Sequence, residues 1–288
     1  MNCPDYNSPA SLKKTLDENG MAMQKKFGQN FLVNETLRKK IVDSLEIFEG
    51  MRIWEVGPGL GAMTAELLLR GAIVTVFEID HGFSNLLRSF FSSEIESGKL
   101  KIVEGDVLKT WKSELSNLPD CFFGNLPYNV AARIIGSTIE SGVRFQKMVV
   151  TIQKEVAQRM AAKHGGKEYS SFSVLCSWAY DIKTVVDLPG GNFWPVPNVL
   201  SRTLCLVPKK EFPVCKDSRF FCQMVRHLFS SRRKTIRNNL LSFSEDFDVD
   251  TTLFRCDISG ESRVESVCVE KLLLLSDAIL EEKQKFSK

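Results

Sequence analysis

At 288 residues and 43% hydrophobic content, the chain can build one large core or two domains, and it is too apolar for disorder to be its main state. No apolar run approaches the roughly 18 residues of a membrane span, since the LLLL stretch at 272–275 lies between Lys271 and Asp277. A formal net charge of +3 is too small to identify a nucleic-acid partner by itself.

The polar, Pro-containing segment 1–22 reads as a flexible leader. Its acids Asp5, Asp17 and Glu18, and its lack of an apolar signal-like core, argue against export and against a mitochondrial presequence, so a cytoplasmic location is expected. Further on, Leu37, Ile41 and Leu45 share one helical face. From residue 51 short β-rich runs alternate with amphipathic stretches: MRIWEV at 51–56, AIVTVF at 72–77, LKIV at 100–103, CFFG at 121–124 and MVVTI at 148–152. That alternation predicts an α/β fold with a mainly parallel sheet and right-handed crossovers. KTVVDLP at 183–189 and RTLCLVP at 202–208 predict a closing pair of strands joined by the Pro-rich NFWPVPN. After Pro208 the composition turns charged and helix-forming, with a break near Pro213, which sets a domain boundary near 208 and predicts a small helical domain over 209–288.

The loop EVGPGLG at 55–61 runs from a strand into Gly57, Gly59 and Gly61, and then into helix-forming residues from Ala62 to Arg70. Glycines there admit a closely approaching ligand and positive φ. The G-x-G-x-G spacing suits a nucleotide-like cofactor without a pyrophosphate; a tight turn with no ligand is the bland alternative. Glu78 ends the second strand, where a carboxylate can accept both hydroxyls of a ribose. Asp106, after the third strand, can accept from the exocyclic amine of an adenine, or simply cap a helix. Three polar loops after successive strands converge on one crevice at the carboxyl edge of the sheet.

Asn125-Leu126-Pro127-Tyr128 follows the fourth strand. The Asn125 side chain and the Leu126 carbonyl can accept the two hydrogens of an adenine amine and favour a pyramidal nitrogen whose lone pair points at a methyl donor. Pro127 stiffens the turn, and Tyr128 offers a face on which a splayed base stacks, worth about 1–3 kcal/mol. An Asn-capped turn with a core Tyr is the structural alternative. Cys3, Cys121, Cys176, Cys205, Cys215, Cys222, Cys256 and Cys268 include no C-x-x-C pair, and His81, His164 and His227 form no ligand spacing, so no metal site is expected. Between Arg219 and Arg237 the chain has no acid and forms a local basic surface that includes Arg226, Arg232, Arg233, Lys234 and Arg237; a solvated helical face is the alternative reading.

These motifs resemble the small-subunit (16S-type) ribosomal RNA adenine dimethyltransferases, with kinship to the macrolide-resistance adenine methyltransferases. The resemblance runs from residue 25 to about 245, through KKFGQNFL at 25–32, EVGPGLG, FEID at 77–80, EGDVL at 104–108 and NLPYNV at 125–130. It continues in QKEVAQRMAAKHGGKEYSSFSV at 153–174, FWPVPNVLS at 193–201 and SSRRKTIRNNL at 230–240. It implies a Rossmann-like class I methyltransferase with a seven-stranded sheet, a cofactor domain over 23–208, S-adenosyl-L-methionine as cofactor, and an RNA-binding tail. It also implies that Gln29, Asn30 and Leu32 lie against the methionine part of the cofactor, Gly57 against its backbone, Glu78 on ribose and Asp106 on adenine. Asn125 would touch both the cofactor region and the target amine, with Phe193 the aromatic wall facing Tyr128.

Two departures stand out: Ser170 where the family usually has Gly, and Asn198 where it often has Lys. The expected activity is dimethylation of two adjacent adenosines near the 3′ end of small-subunit rRNA. The expected partner is that RNA within an immature 30S-type subunit, met by a monomer with no membrane association. Methylation of large-subunit rRNA, and a non-catalytic ribosome-assembly or transcription factor on the same fold, are the alternatives.

Overall fold

Each strand read from the sequence between residues 51 and 208 is present in the computed structural model, which describes residues 3–23, 29–126, 130–210 and 215–286. The chain begins with α1 (Pro9–Glu18), β1 (Phe31–Leu32) and α2 (Glu35–Asp43). There follow β2 (Arg52–Val56), α3 (Ala62–Leu69), β3 (Ile73–Glu78), α4 (His81–Phe90), α5 (Ser92–Glu96), β4 (Leu100–Glu104) and α6 (Val107–Thr110). After these come β5 (Cys121–Asn125), α7 (Ala131–Glu140), β6 (Lys147–Gln153), α8 (Lys154–Met160) and α9 (Ser171–Ala179). The remaining strands are β7 (Tyr180–Leu188), β8 (Phe193–Trp194) and β9 (Ser201–Pro208), and the chain closes with α10 (Ser218–Ser230), α11 (Ile236–Leu241), α12 (Val249–Arg255) and α13 (Val269–Phe286).

The seven-stranded sheet has the order β4-β3-β2-β5-β6-β9-β7. The pairs from β4 across to β6 are parallel, and β9 enters antiparallel beside β6. The closing strands are therefore neighbours, as expected, with β9 lying between β6 and β7. Chain order reverses at β2: β3 and β4 build out on one side, β5 and β6 on the other. The loops after β2 and β5 consequently part at their carboxyl ends and leave a crevice. Central strands are buried along nearly their whole length, as a doubly covered parallel sheet requires. On one face Trp54 packs edge-on against Phe77 at 5.2 Å and Phe145 at 5.8 Å.

Segment 1–22 departs from the expected leader. Over Pro9–Glu18 it is helix α1: the Ser8 hydroxyl accepts from the Ser11 amide, and Pro9 needs no amide partner in the first turn. Leu12 and Leu16, four apart and therefore on one face, are buried. Composition alone misled, because two apolar side chains in register suffice to dock a short helix.

The chain divides into two compact units. The first comprises Met1–Ile134, Phe145–Ala157 and Ile182–Val207. The second runs from Pro208 to the end and takes in Ile135–Arg144 and Gln158–Asp181, so a single cut at 208 leaves out two of its segments. Its core includes Trp178 edge-on against Phe221 at 5.0 Å, together with Leu228, Ile236 and Leu272. Here Ser170 is the N-cap of α9 in a reciprocal box with Ser173, its backbone extended at φ −151°. The departure from Gly thus places a good capping residue where no positive φ is needed. The expected break at Pro213 lies outside the described residues.

Leu16→Ala is expected to lower the unfolding free energy by about 2–5 kcal/mol. Equilibrium denaturation monitored by circular dichroism measures it, and a loss below about 0.5 kcal/mol, the size of an ordinary surface change, would return the segment to the status of a leader.

Candidate functional site

The loop after β2 keeps its shape through three left-handed glycines, Gly57 at φ 72°, Gly59 at 55° and Gly61 at 85°. Space is as limiting as φ: a Cβ on Gly59 would lie 2.8 Å from Phe31 Cε1, and one on Gly61 2.6 Å from Phe91 Cε2. Phe31 reaches that point because β1 pairs antiparallel with β8, with Phe31 opposite Trp194 and Leu32 opposite Phe193. Its ring stacks on Trp194 at 6.2 Å and meets Phe83 edge-on at 5.8 Å. This small two-stranded sheet was not foreseen, since two-residue strands carry no readable period.

Beneath the loop sit two desolvated carboxyls. Glu55 on β2 is fully buried; its Oε2 accepts from the Thr64 hydroxyl at 2.7 Å, and burial raises its pKa to about 8. Glu78 at the end of β3 accepts from the Gly59 amide at 3.2 Å and the Asp80 amide at 2.9 Å. Burial nevertheless prevails over those two donors and lifts Glu78 to about 7. Asp80 caps α4 and receives a hydrogen bond from Gln29 Nε2 at 3.3 Å. Asp106 caps α6 through Oδ1, to the Leu108 amide at 2.9 Å. It therefore does the capping job and still lines the cavity.

These elements enclose a cavity of about 310 Å³, a size suited to a small-molecule ligand. Every residue expected to hold the cofactor lines it: Gln29, Asn30, Leu32, Gly57, Gly59, Glu78, Asp106 and Asn125. So do Leu126, Glu55 at the head of the EVGPGLG loop, and residues not singled out from the sequence, among them Phe31, Arg38 and Arg133. Phe31 stood inside the quoted KKFGQNFL motif, which was its only signal; Arg38, on a helix face otherwise read for Leu37 and Ile41, gave none.

Asn125 ends β5 and donates from Nδ2 to the Asn30 carbonyl at 3.2 Å, which turns Oδ1 away from that contact as an acceptor. The Leu126 amide donates to the Thr151 carbonyl at 3.0 Å. Tyr128 lies outside the described residues. Phe193 departs from expectation: it is 2% exposed, packed in the core as the cross-strand partner of Leu32, and is not among the residues lining the cavity. Its strand pairing with Leu32 turns it inward, as alternation along β8 requires while Phe31 and Trp194 stack.

The donor set fits S-adenosylmethionine. Glycines without room for a Cβ bring backbone close to a ligand, Glu78 is a buried carboxyl with an appetite for hydroxyl donors, and Asp106 supplies an acceptor at the next strand end. Among the described residues no group of three His, Cys, Asp or Glu side chains could hold a metal, and no helix is long and apolar enough to cross a membrane.

In the second unit the basic residues are not all free. Arg226 pairs with Glu140, Arg232 with Glu265 at 3.0 Å, and Arg237 grips Asp250 with two bonds of 2.7 and 2.8 Å. Arg233 and Lys234, in the turn between α10 and α11, are exposed and make no ion pair among the described residues.

Residues 20–281 match the family model for ribosomal RNA adenine dimethylase. A ribosomal RNA small subunit methyltransferase A from Treponema denticola is 48% identical over 284 residues, covering 96% of each chain. The protein of the same name from Borreliella afzelii is 41% identical over 278 residues, 96% of this chain and 95% of that one. Among solved structures, a dimethyladenosine transferase from Plasmodium falciparum superposes with a TM-score of 0.71 at 24% identity, over 88% of this chain and 97% of that one. The 23S rRNA methyltransferase ErmE gives 0.62 at 23%, over 86% and 98%. At those identities the two structures speak for the fold.

Glu78 sets a pH dependence. Its pKa is raised, so the neutral form prevails below about 7, and the carboxylate form, the better acceptor for hydroxyl donors, appears as pH rises through that value. Affinity for S-adenosylhomocysteine is expected to rise about tenfold between pH 6 and 8. Glu78→Gln should bind more weakly with a flat profile; calorimetry at several pH values checks both.

Proposed function

The chain belongs to the ribosomal RNA adenine dimethylase family, and from that premise we propose that it dimethylates the exocyclic amino groups of two adjacent adenosines near the 3′ end of small-subunit rRNA. It is an S-adenosylmethionine-dependent rRNA methyltransferase. Its substrate in this reading is an immature 30S-type subunit, met by a cytoplasmic monomer. The first compact unit carries methyl transfer and the second contributes RNA contacts.

The observation that carries the reading is the orientation of Asn125. With Nδ2 engaged by the Asn30 carbonyl, Oδ1 is left to accept one hydrogen of the target amine. The Leu126 carbonyl, whose own amide is held by Thr151, accepts the other. Two acceptors on one amine draw its nitrogen toward a pyramidal shape and free the lone pair from the ring. They also stabilise the positive charge that grows on that nitrogen during transfer. Tyr128 is assigned the stacking face for the base. Phe193, buried as the cross-strand partner of Leu32, is assigned a positioning role for β1 instead of the second aromatic wall.

Gln29, Asn30 and Leu32 would hold the methionine end of the cofactor, Gly57 and Gly59 its backbone-facing side, Glu78 the ribose and Asp106 the adenine. When bound, S-adenosylmethionine supplies an electrophilic methyl group on a sulfonium. The protein needs no strong general base, because the methylated amine is acidic enough to lose its proton to water. Rate enhancement comes from holding both reactants in line. An amine already carrying one methyl must still fit, so the four transfers use one pocket.

On the RNA side, Arg233 and Lys234 are assigned phosphate contacts. Arg226, Arg232 and Arg237 contribute by exchanging exposed carboxylate partners for phosphate, since solvent-exposed pairs hold only about 0–1 kcal/mol.

Asn125→Ala is expected to cut turnover on unmethylated small subunits by about 100-fold or more while changing cofactor affinity by less than about fivefold. Radiolabelled cofactor with primer-extension mapping reads the first, calorimetry the second. Label appearing only in large-subunit RNA would reject the substrate assignment. The Arg233→Ala, Lys234→Ala double variant should weaken RNA binding and reduce the slope of log K against log[salt] by about 1 to 2; an unchanged slope removes both from the interface.

A further inference from the structure

Arg38, on the first turns of α2, is only 3% exposed yet forms part of the cavity wall. Its Nη1 donates to the Leu32 carbonyl at 2.9 Å and the Tyr6 carbonyl at 3.4 Å, and its Nη2 to Asn7 Oδ1 at 2.6 Å. All three acceptors are neutral. Its Nε is buried with no hydrogen-bond partner, and no carboxylate pairs with the guanidinium among the described residues. Burial lowers its pKa, and Glu66, Glu35 and Asp5 act on it only as charges without a hydrogen bond. An arginine remains cationic even so. A buried charge without a counterion is costly, and an arriving anion repays more than it would at the surface.

The cavity is therefore chemically polar along its length. The ends of β3 and β4 bring the acids Glu78 and Asp106, matched to hydroxyl and amine donors, whereas the β1 and α2 side brings a desolvated cation. S-adenosylmethionine has its only anionic group, a carboxylate, on the amino-acid end. We infer that Arg38 is the charge that recognises this carboxylate, as the uncompensated cation in the cavity wall. The inference rests on the reading of the cavity as the cofactor site, and it adds a residue that discriminates the amino-acid end from the nucleoside end.

The test separates the two ends of the ligand by calorimetry, comparing S-adenosylhomocysteine with 5′-methylthioadenosine, which keeps the adenosine and thioether and lacks the carboxylate. In the Arg38→Leu variant, affinity for S-adenosylhomocysteine should fall about 10- to 100-fold, and affinity for 5′-methylthioadenosine should change by less than about threefold, below the span of a charged hydrogen bond. Equal losses for both ligands, or no loss for either, overturn the assignment and leave Arg38 as a structural tie between α2 and residues 6–7. If Arg38→Leu does not fold by circular dichroism, Arg38→Lys takes its place. It keeps a charge but lacks the planar guanidinium held by residues 6, 7 and 32, and a loss for S-adenosylhomocysteine alone supports the inference while equal losses reject it. Failure of both ligands to bind the unaltered protein would instead reject the cavity as the cofactor site.

Discussion

The hydrogen bond from the Gly59 amide to the Glu78 carboxyl is the constraint on which the rest of the site depends. It joins the turn after β2 to the end of β3, and it does so in a place where both partners have lost water. A buried carboxyl must find donors or remain protonated, and Glu78 does some of each, held by two amides yet still lifted to about 7. The amide can reach it only if the turn is tight, the turn is tight only with left-handed glycines, and those glycines leave just enough room for Phe31 on one side and Phe91 on the other. Backbone geometry, aromatic packing and the protonation state of the site are thus one coupled solution.

The same coupling explains why short elements matter. The two residues each of β1 and β8 make only a short ladder, yet they fix Phe31 over Gly59 and hold Leu32 in register beside the buried Phe193. α1 extends this arrangement: the Tyr6 hydroxyl donates to the Leu60 carbonyl at 2.9 Å, within the cofactor loop, and Arg38 binds the carbonyls of Tyr6 and Leu32 together. The segment before the first long strand is therefore part of the cavity's construction. Its removal would uncover the surface against which Leu12 and Leu16 are buried and release the loop at the same time.

What could be read from the sequence follows the range of the interactions involved. The central strands announced themselves because burial on both faces gives continuous apolar runs, and the glycine loop, Glu78, Asp106 and Asn125 because each closely follows a strand run. Strand order put them together with no further information needed, since reversal of chain order at β2 brings successive strand ends to one crevice. Interactions between distant segments were the illegible part. Nothing local marks Phe193 as paired with Leu32, or Glu55 as sealed under Thr64. The guanidinium of Arg38 looked like one more surface charge on an amphipathic helix. Its burial is decided by residues 6 and 7, about thirty positions earlier, in a stretch whose composition suggested no order at all.

Charge in the second unit makes the complementary point. Six basic residues without an intervening acid look like a cationic surface, but pairing is a property of space. Glu140, Glu265 and Asp250 come from three other parts of the chain to meet Arg226, Arg232 and Arg237. Such exposed pairs cost little to open, so in the proposed RNA role each of those arginines would exchange one anion for another with a reduced net gain. Arg233 and Lys234 face no such exchange. Their position in the turn ahead of α11, with Thr235 capping that helix through its hydroxyl, holds the backbone beneath them in a defined shape. In the proposed RNA role, Arg233 and Lys234, which make no ion pair among the described residues, thus count for more than the larger basic total around them.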